Sequence, residues 1–174
     1  MKVIAPPAFE PVTLAEVKVW LRLDEDYTAE DDLLRGLIQA AREWAEHYTQ
    51  RAFVERTVES TATAGRLIGL GVGLGPVTEV VSVTIAGTAL TADDYYLRDG
   101  DFDDSVYLRK HTTDFPLVIR AKVGTITETS ELPASLRAAM QLCITEWWEK
   151  RGDSVRSKPT AAENLLNSLR RWAV

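Results

Sequence analysis

The sequence is poor in the residues that build metal centres and disulfide frameworks. Among 174 residues there is one cysteine, Cys143, and there are two histidines, His47 and His111, which stand far apart. A lone cysteine excludes an intramolecular disulfide, and these spacings match no cysteine or histidine metal motif. The composition favours a reducing compartment and predicts neither a bound metal nor a cofactor.

A surplus of basic residues and long apolar runs are also missing. Twenty Lys and Arg stand against 26 Asp and Glu, a formal net charge of −6, whereas binding nucleic acid without sequence preference needs excess cations. No stretch approaches the roughly 20 apolar residues that span a bilayer. Pro6 and Pro7 interrupt the start, where a secretory signal would need an apolar run. We expect a soluble protein that is not exported.

The residues that are present predict a folded chain that begins with helices. Hydrophobic residues make up 45% of the sequence, as is typical of a globular domain. Thr13 and Glu16 have the spacing of a capping box, so a helix should run from there to about Leu23, with Lys18 on its solvent side. Apolar residues at helical spacing then continue from about Thr28 for some 25 residues, a rod of roughly 37 Å.

Helical patterns return in the last third of the chain. Pro133 suits a first helical turn, and apolar residues on one face predict a third helix that ends at Arg151. Thr160 and Glu163 form a second capping box, which opens a C-terminal helix. The predicted core of the helices is Trp20, Leu37, Ile38, Trp44, Met140 and Trp147.

The middle of the chain changes to Val, Thr, Ile and Tyr with frequent glycine, which is typical of strands. Ala86-Gly87 supplies a tight turn after a run with period-two alternation. The predicted strands are 55–62, 77–85, 88–90, 95–97, 105–109 and 117–123.

These patterns together predict an α+β fold. We expect a bundle of three main helices plus a C-terminal helix, with a small antiparallel β-sheet inserted into it. The expected segments are 1–53 for the N-terminal helical hairpin, 54–130 for the inserted β region, 131–152 for the third bundle helix and 153–174 for a basic C-terminal segment.

One acidic segment has the residue types of a cation site. Asp99, Asp101 and Asp103 alternate as in a calcium loop, since oxygen ligands on every second residue can converge on a hard cation. The other positions depart from that motif, because the sixth is Asp104 and the twelfth is Lys110. A solvated acidic hairpin loop is the favoured interpretation. The alternative is a calcium-dependent binding module or a small acidic enzyme built around this loop.

No group of residues indicates catalysis. His47 and His111 have no adjacent nucleophile, and Cys143 lies on the apolar face of the third helix as a small core residue. Glu43 and Glu46 share a helical face, which favours a solvated charged face over an acid–base pair. We predict no catalytic, metal-binding or cofactor-binding residues.

The charge is divided unevenly along the chain. Residues 150–174 contain six basic and two acidic residues, a sum of +4, so the first 149 residues carry −10. Trp148 and Trp172 are expected at exposed positions, and exposed aromatic side chains usually indicate an interface. Either the terminal helix places cations at its own negative end, or this segment docks onto an acidic partner. The predicted docking residues are Arg156, Lys158, Leu165, Leu166, Leu169, Arg170, Arg171 and Trp172.

Several segments in chain order share the pattern of one protein family. They begin with Glu10-Pro-Val-Thr-Leu-Ala-Glu-Val-Lys-Val-Trp-Leu-Arg-Leu-Asp24 and the acidic turn. They continue with residues 33–41, Glu46-His-Tyr-Thr-Gln-Arg51, Gly75-Pro-Val77, residues 80–83, Leu132-Pro-Ala-Ser-Leu-Arg137 and Glu146-Trp-Trp-Glu-Lys-Arg151. In these segments the chain resembles the head–tail connector (adaptor) proteins of long-tailed bacteriophages.

The resemblance implies a structural protein and not an enzyme. It implies a ring of identical subunits, usually twelve, that sits beneath the portal protein, completes the head and offers a platform to a tail-side head-completion or tail-terminator protein. It also implies that the C-terminal segment engages the portal and that DNA passes through the channel without specific binding. The implied location is the head–tail interface of a virion assembled in the host cytoplasm, with no membrane partner. Prophages and gene transfer agents use similar parts.

Overall fold

The computed structural model describes residues 2–62, 67–69, 75–98, 104–109, 116–151 and 160–170. The chain forms two compact units. Phe9–Thr49 and Ile126–Arg170 make a helical unit, and the described residues of Met1–Ala8 and Gln50–Thr125 make a β unit. The α+β class is therefore confirmed.

The described residues of the helical unit form four α-helices and two short 3-10 turns. The helices are α1 (Leu14–Leu21), α2 (Asp31–Thr49), α3 (Ala134–Lys150) and α4 (Ala161–Leu166), and the turns are Thr129–Glu131 and Asn167–Leu169. The predicted long helix is shorter than expected, with 19 residues and a start at Asp31. The preceding acidic residues form turns instead, in which Tyr27 donates to Asp24 and Asp31 donates to Thr28 through their backbones.

Both predicted capping boxes are present. The Thr13 backbone N–H donates to Glu16 Oε2 at 2.8 Å, and Glu16 N–H donates to Thr13 Oγ1 at 3.2 Å. Thr160 and Glu163 repeat the arrangement at 2.7 Å and 3.2 Å at the start of α4. Each box satisfies amide groups that a helix start leaves without intrahelical acceptors, which is why these short helices begin where they do.

The core of the helical unit consists of side chains from all four helices. Its fully or nearly fully buried members include Val17, Leu34, Ile38, Ala41, Ala45, Leu136, Ala139, Met140, Cys143, Ile144 and Leu166. The core prediction is thus right for Ile38 and Met140, whereas Leu37, Trp44 and Trp147 are half-buried. It is wrong for Trp20, which is 48% exposed.

The described residues of the β unit form two antiparallel sheets, where the sequence predicted one. The first has the order β1-β2-β8-β4-β5, and the second has the order β3-β7-β6. The strands are β1 (Lys2–Ala5), β2 (Arg56–Ala62), β3 (Leu67–Gly69), β4 (Val77–Ile85), β5 (Thr88–Ala89), β6 (Tyr95–Arg98), β7 (Ser105–Leu108) and β8 (Leu117–Val123). Val83, Ile119 and Ala121 of the first sheet pack with Val106 and Leu108 of the second in one buried cluster.

The two-residue turn between β4 and β5 is confirmed. Ala86 and Gly87 both have positive φ, 48° and 83°. Two central residues of this conformation give the turn whose twist matches that of paired antiparallel strands. In the described part of the chain, no helix has the length and apolar character needed to cross a bilayer.

Candidate interaction surfaces of the helical unit

The predicted docking residues that the structure describes are only partly exposed. Leu166 is fully buried, and Leu165, Leu169 and Arg170 are half-buried. Arg156, Lys158, Arg171 and Trp172 lie outside the described residues. Leu166 therefore belongs to the core of the helical unit, because its side chain is on the α4 face that packs inward.

Two aromatic side chains of α2 contact the last described residues of the helical unit. The rings of Trp44 and Tyr48 stack with centroids 5.8 Å apart, and the Arg170 guanidinium lies 5.3 Å from the Tyr48 ring centroid. The Tyr48 hydroxyl donates to Asn167 Oδ1 at 2.8 Å. Such stacking and cation–π contacts each contribute roughly 0.5–1.5 kcal/mol. These contacts hold Arg170 against α2. Arg171 and Trp172, two of the predicted docking residues, follow it directly in the sequence.

Glu30, just before α2, and Asp31, the first residue of α2, contact cations and an indole of the same unit. Lys18, predicted on the solvent side of α1, is 6% exposed, and its Nζ lies 2.7 Å from Asp31 Oδ1. Trp148 Nε1 donates to Glu30 Oε2 at 2.7 Å, and Arg151 forms an ion pair with Glu30. Trp148 is consequently half-buried, with its N–H satisfied inside the unit, instead of lying free at the surface as predicted.

Glu30 is expected to make the helical unit less stable as the pH falls into the acid range. The Trp148 hydrogen bond, and then the Arg151 hydrogen bond and charge, hold the pKa of Glu30 below its usual value. A lowered pKa in the folded state stabilises the fold above the unfolded-state pKa and ceases to do so as pH falls through the folded-state value. Thermal unfolding of Glu30→Gln should therefore show a lower midpoint than wild type at pH 7, and the difference should become smaller at an acid pH below the usual Glu pKa of about 4.3.

A matched control for this experiment lies in the same turn. Asp26→Asn removes one carboxylate from an exposed position and should leave the midpoint unchanged at both pH values. A constant difference between Glu30→Gln and wild type across the whole pH range would contradict the assigned linkage.

Of the two residues predicted on a solvated face, Glu43 is exposed, but Glu46 belongs to a buried ion network. Glu46 is 4% exposed, and its Oε2 accepts from Arg42 Nη1 at 3.1 Å. The same guanidinium donates through Nε to Glu10 Oε2 at 2.8 Å. Burial lowers the pKa of Arg42, but the bonds and charges of Glu10 and Glu46 raise it above its usual value overall. The prediction failed for Glu46 because the spacing of charges cannot reveal a buried partner.

The remaining chemical candidates that the structure describes lie in or beside different elements. Cys143 is buried, as predicted, and His47 is exposed on α2. Asp104 is buried, and its Oδ2 accepts the Val77 backbone N–H at 2.9 Å, which ties β4 to the start of β7. Asp99–Asp103, Lys110 and His111 lie outside the described residues, and those that are described contain no group of three or more metal-binding side chains.

Two exposed apolar surfaces of the helical unit were not predicted. Val19 is 78% exposed and, together with Trp20, Ala15, Glu16 and Gln141, lines a shallow groove of about 390 Å³ beside α1. On α2, Leu33 is 42% exposed, and Gly36 and Ala40 are exposed on the same side of the helix. Two features of the sequence could have indicated these surfaces. Val19 is apolar but lies outside the main apolar stripe of α1, and Gly36 lies inside the long helix.

The chain is similar to a family of proteins and to several solved structures. Residues 11–68 match the family of phage gp6-like head–tail connector proteins, which confirms the resemblance inferred from the sequence. That match covers α1, α2, β2 and the first two residues of β3. Comparison with curated proteins finds no match.

Three solved structures share the fold over almost the whole chain. A chain in the neck of an empty gene transfer agent (GTA) particle, computed with C6 symmetry, has a TM-score of 0.81 at 24% identity, covering 100% of this chain and 97% of that chain. A chain in the virion of a native GTA particle has a TM-score of 0.77 at 21% identity, covering 98% and 97%. A chain in the neck of a native particle, computed with C12 symmetry, has a TM-score of 0.70 at 21% identity, covering 100% and 97%. At these identities the likeness shows a common fold.

Proposed function

We propose that this protein is a structural connector in the neck of a phage-like particle, where it joins the portal to the tail. The observation that carries the proposal is the fold match to a neck chain over 100% of this chain with a TM-score of 0.81. The connector-family match at residues 11–68 independently indicates the same role. Both comparisons concern assembly parts, which supports a role without catalysis.

In this proposal the protein forms a ring of identical subunits, with twelve copies. The symmetries of the similar neck structures, C6 and C12, support a cyclic arrangement. DNA would pass through the ring, and the −10 charge of the first 149 residues would repel its phosphates, so that the conduit does not hold its cargo. The remaining partners are the portal protein above the ring and a tail-side completion or terminator protein below it. The protein would reside in the virion after assembly in the host cytoplasm.

We assign portal docking to the basic C-terminal segment, and the structure narrows how that assignment can be tested. Deleting residues 160–174 would remove Leu166, which is fully buried, and a buried leucine contributes on the order of 2–5 kcal/mol. Loss of binding after that deletion would not distinguish docking from unfolding. Point changes after Arg170 avoid the problem, because they leave α4 and its cap intact.

The double change Arg171→Ala with Trp172→Ala is expected to weaken binding to purified portal rings about tenfold or more, since aromatic and arginine side chains dominate interface energies. The loss should be larger at low salt than at high salt, because the arginine part is screened. Co-sedimentation at two salt concentrations measures both effects.

The matched control is Tyr96→Ala with Arg98→Ala, which removes one exposed aromatic and one exposed arginine from the β unit. It should bind portal rings as wild type does. Undiminished binding by the C-terminal variant, or equal losses in both variants, would overturn the docking assignment.

A further inference from the structure

We propose that the helical unit carries two complementary faces through which copies of this chain contact one another head to tail. The first face, called the ridge, consists of Val19 and Trp20 on α1. The second face, called the shelf, consists of Leu33, Gly36 and Ala40 on α2. This inference rests on the proposed ring and names the surfaces that would form it.

The ridge presents bulky apolar side chains in a fixed position. Val19 is 78% exposed and Trp20 is 48% exposed. Burying these apolar side chains against a partner would be favourable, since it removes apolar surface from water. Trp20 Nε1 donates to Thr145 Oγ1 at 2.8 Å, and Thr145 Oγ1 donates in turn to the backbone oxygen of Gln141 at 2.8 Å. The indole is therefore oriented before any partner arrives, which reduces the entropy lost on binding.

The shelf lies on a second apolar stripe of α2. The core face of the helix contains Leu34, Ile38, Ala41 and Ala45, all buried. Leu33, Leu37, Ala40 and Trp44 follow beside it at intervals of four, three and four residues, the spacing of a helix-packing seam. Leu37 and Trp44 are half-buried, whereas Leu33 and Ala40 are exposed, so the first half of the stripe is open.

Gly36 shows that the shelf has room for a close neighbour. A glycine inside a helix costs about 1 kcal/mol relative to alanine. A Cβ placed on Gly36 would meet nothing within 4 Å, so packing inside the subunit does not require glycine here. Close approach by a side chain of another molecule is a physical reason for a glycine at this position, since it leaves space that alanine would fill.

The charges beside the two faces are mixed. Arg22 is exposed beside the ridge, but Asp24–Asp26, which follow it, are all acidic and exposed. Beside the shelf, the fully exposed Asp32 side chain pairs with Arg35 at 2.8 Å. The bulky ridge and the open shelf are complementary in shape, and the cyclic symmetries of the similar neck structures favour a second copy as the occupant.

A contact between two different faces repeats from subunit to subunit. Such heterologous contacts close into rings when the rotation between neighbours divides a full turn. A contact between two identical faces would stop at a dimer and could not build a ring alone. Contact between the ridge of one copy and the shelf of the next therefore provides the repeating interface that a ring requires.

Paired cysteines test this arrangement directly. The variant with both Val19→Cys and Gly36→Cys, treated with a short bismaleimide, should give a ladder of cross-linked species that extends to the full ring, both in concentrated protein and in assembled particles. Native Cys143 is buried and should not react. An equimolar mixture of the two single variants should give dimers only, since each subunit then has one reactive face.

The matched control joins Val19→Cys to Ala92→Cys, which is exposed in the β unit. The proposal is overturned if the Val19/Gly36 pair cross-links no more than this control, or if Val19→Cys alone gives abundant dimers. If necks containing the protein still form in that case, the proposed function stands and only the assigned faces are wrong. If no neck or ring contains the protein, the proposed function itself fails.

A second variant pair covers the possibility that the cysteine variants fold poorly. Gly36→Leu should fill the shelf and reduce ring assembly at least tenfold while its melting temperature stays at or above that of wild type, because the site is open in the subunit. Ring assembly by Gly36→Leu at the wild-type level would contradict the proposal.

Discussion

Replacing Arg42 by methionine is expected to lower the free energy of unfolding by about 3–5 kcal/mol. The Arg42 and Glu46 side chains are each 5% exposed, so the change removes the guanidinium from a carboxylate that stays buried. It also removes the bond between Arg42 and Glu10, which ties the segment before α1 to α2. Urea unfolding followed by circular dichroism measures the loss.

Arg35→Met is the matched control, because it removes an arginine from the same helix whose side chain is 57% exposed and pairs with exposed Asp32. Exposed pairs contribute little, so the expected loss is less than about 1 kcal/mol. Equal losses in the two variants would mean that the Arg42 network is no more important than a surface ion pair.

Replacing Gly124 by alanine is expected to destabilise the β unit by about 3 kcal/mol or more. Gly124 follows the last residue of β8 with φ at +91°, a conformation that side chains disfavour. An added Cβ would lie 2.5 Å from the Val54 backbone oxygen and 2.7 Å from its carbonyl carbon. Both are backbone atoms, so the clash can be removed only if the backbone at Val54 or Gly124 moves. Thermal unfolding should show the loss of stability as a lower midpoint.

Gly36→Ala is the natural comparison, since its Cβ would meet nothing within 4 Å and its helix favours alanine. That variant should gain up to about 1 kcal/mol as an isolated subunit. A Gly124→Ala protein as stable as wild type would show that the Val54 backbone yields easily at this point.

The helices could be predicted because their signals are local. Thr13 with Glu16 and Thr160 with Glu163 each need only four consecutive residues to form, and both boxes are present in the structure. The Ala86-Gly87 turn is likewise determined within the hairpin it closes. These features depend on backbone geometry over one turn, which a sequence pattern records directly.

The features that were missed depend on partners distant in the chain. Strand β1 has four exposed residues and no alternation, and it forms because β2 offers an edge for pairing. The division into two sheets follows from β7 pairing with β6 on one side and with β3, a short strand without a pattern of its own, on the other. The spacing of residues within each strand does not reveal either of these strand pairings.

The interaction surfaces show the same limit. Trp20 was assigned to the core because its spacing fits the apolar stripe of α1, yet its indole N–H is held by Thr145 from α3 at the surface. Glu46 was assigned to solvent, yet Arg42 and the surrounding helices bury it. In both cases the side chain's environment is set by an element that spacing within one helix does not reveal.

The proposed connector role is tested most directly by reconstructing, by cryo-electron microscopy, the neck of particles from cells that lack this gene and from complemented cells. The account predicts a ring of twelve copies with this fold between portal and tail in the complemented particles, and filled heads without attached tails when the gene is absent. Intact necks and attached tails in the absence of the gene would contradict it.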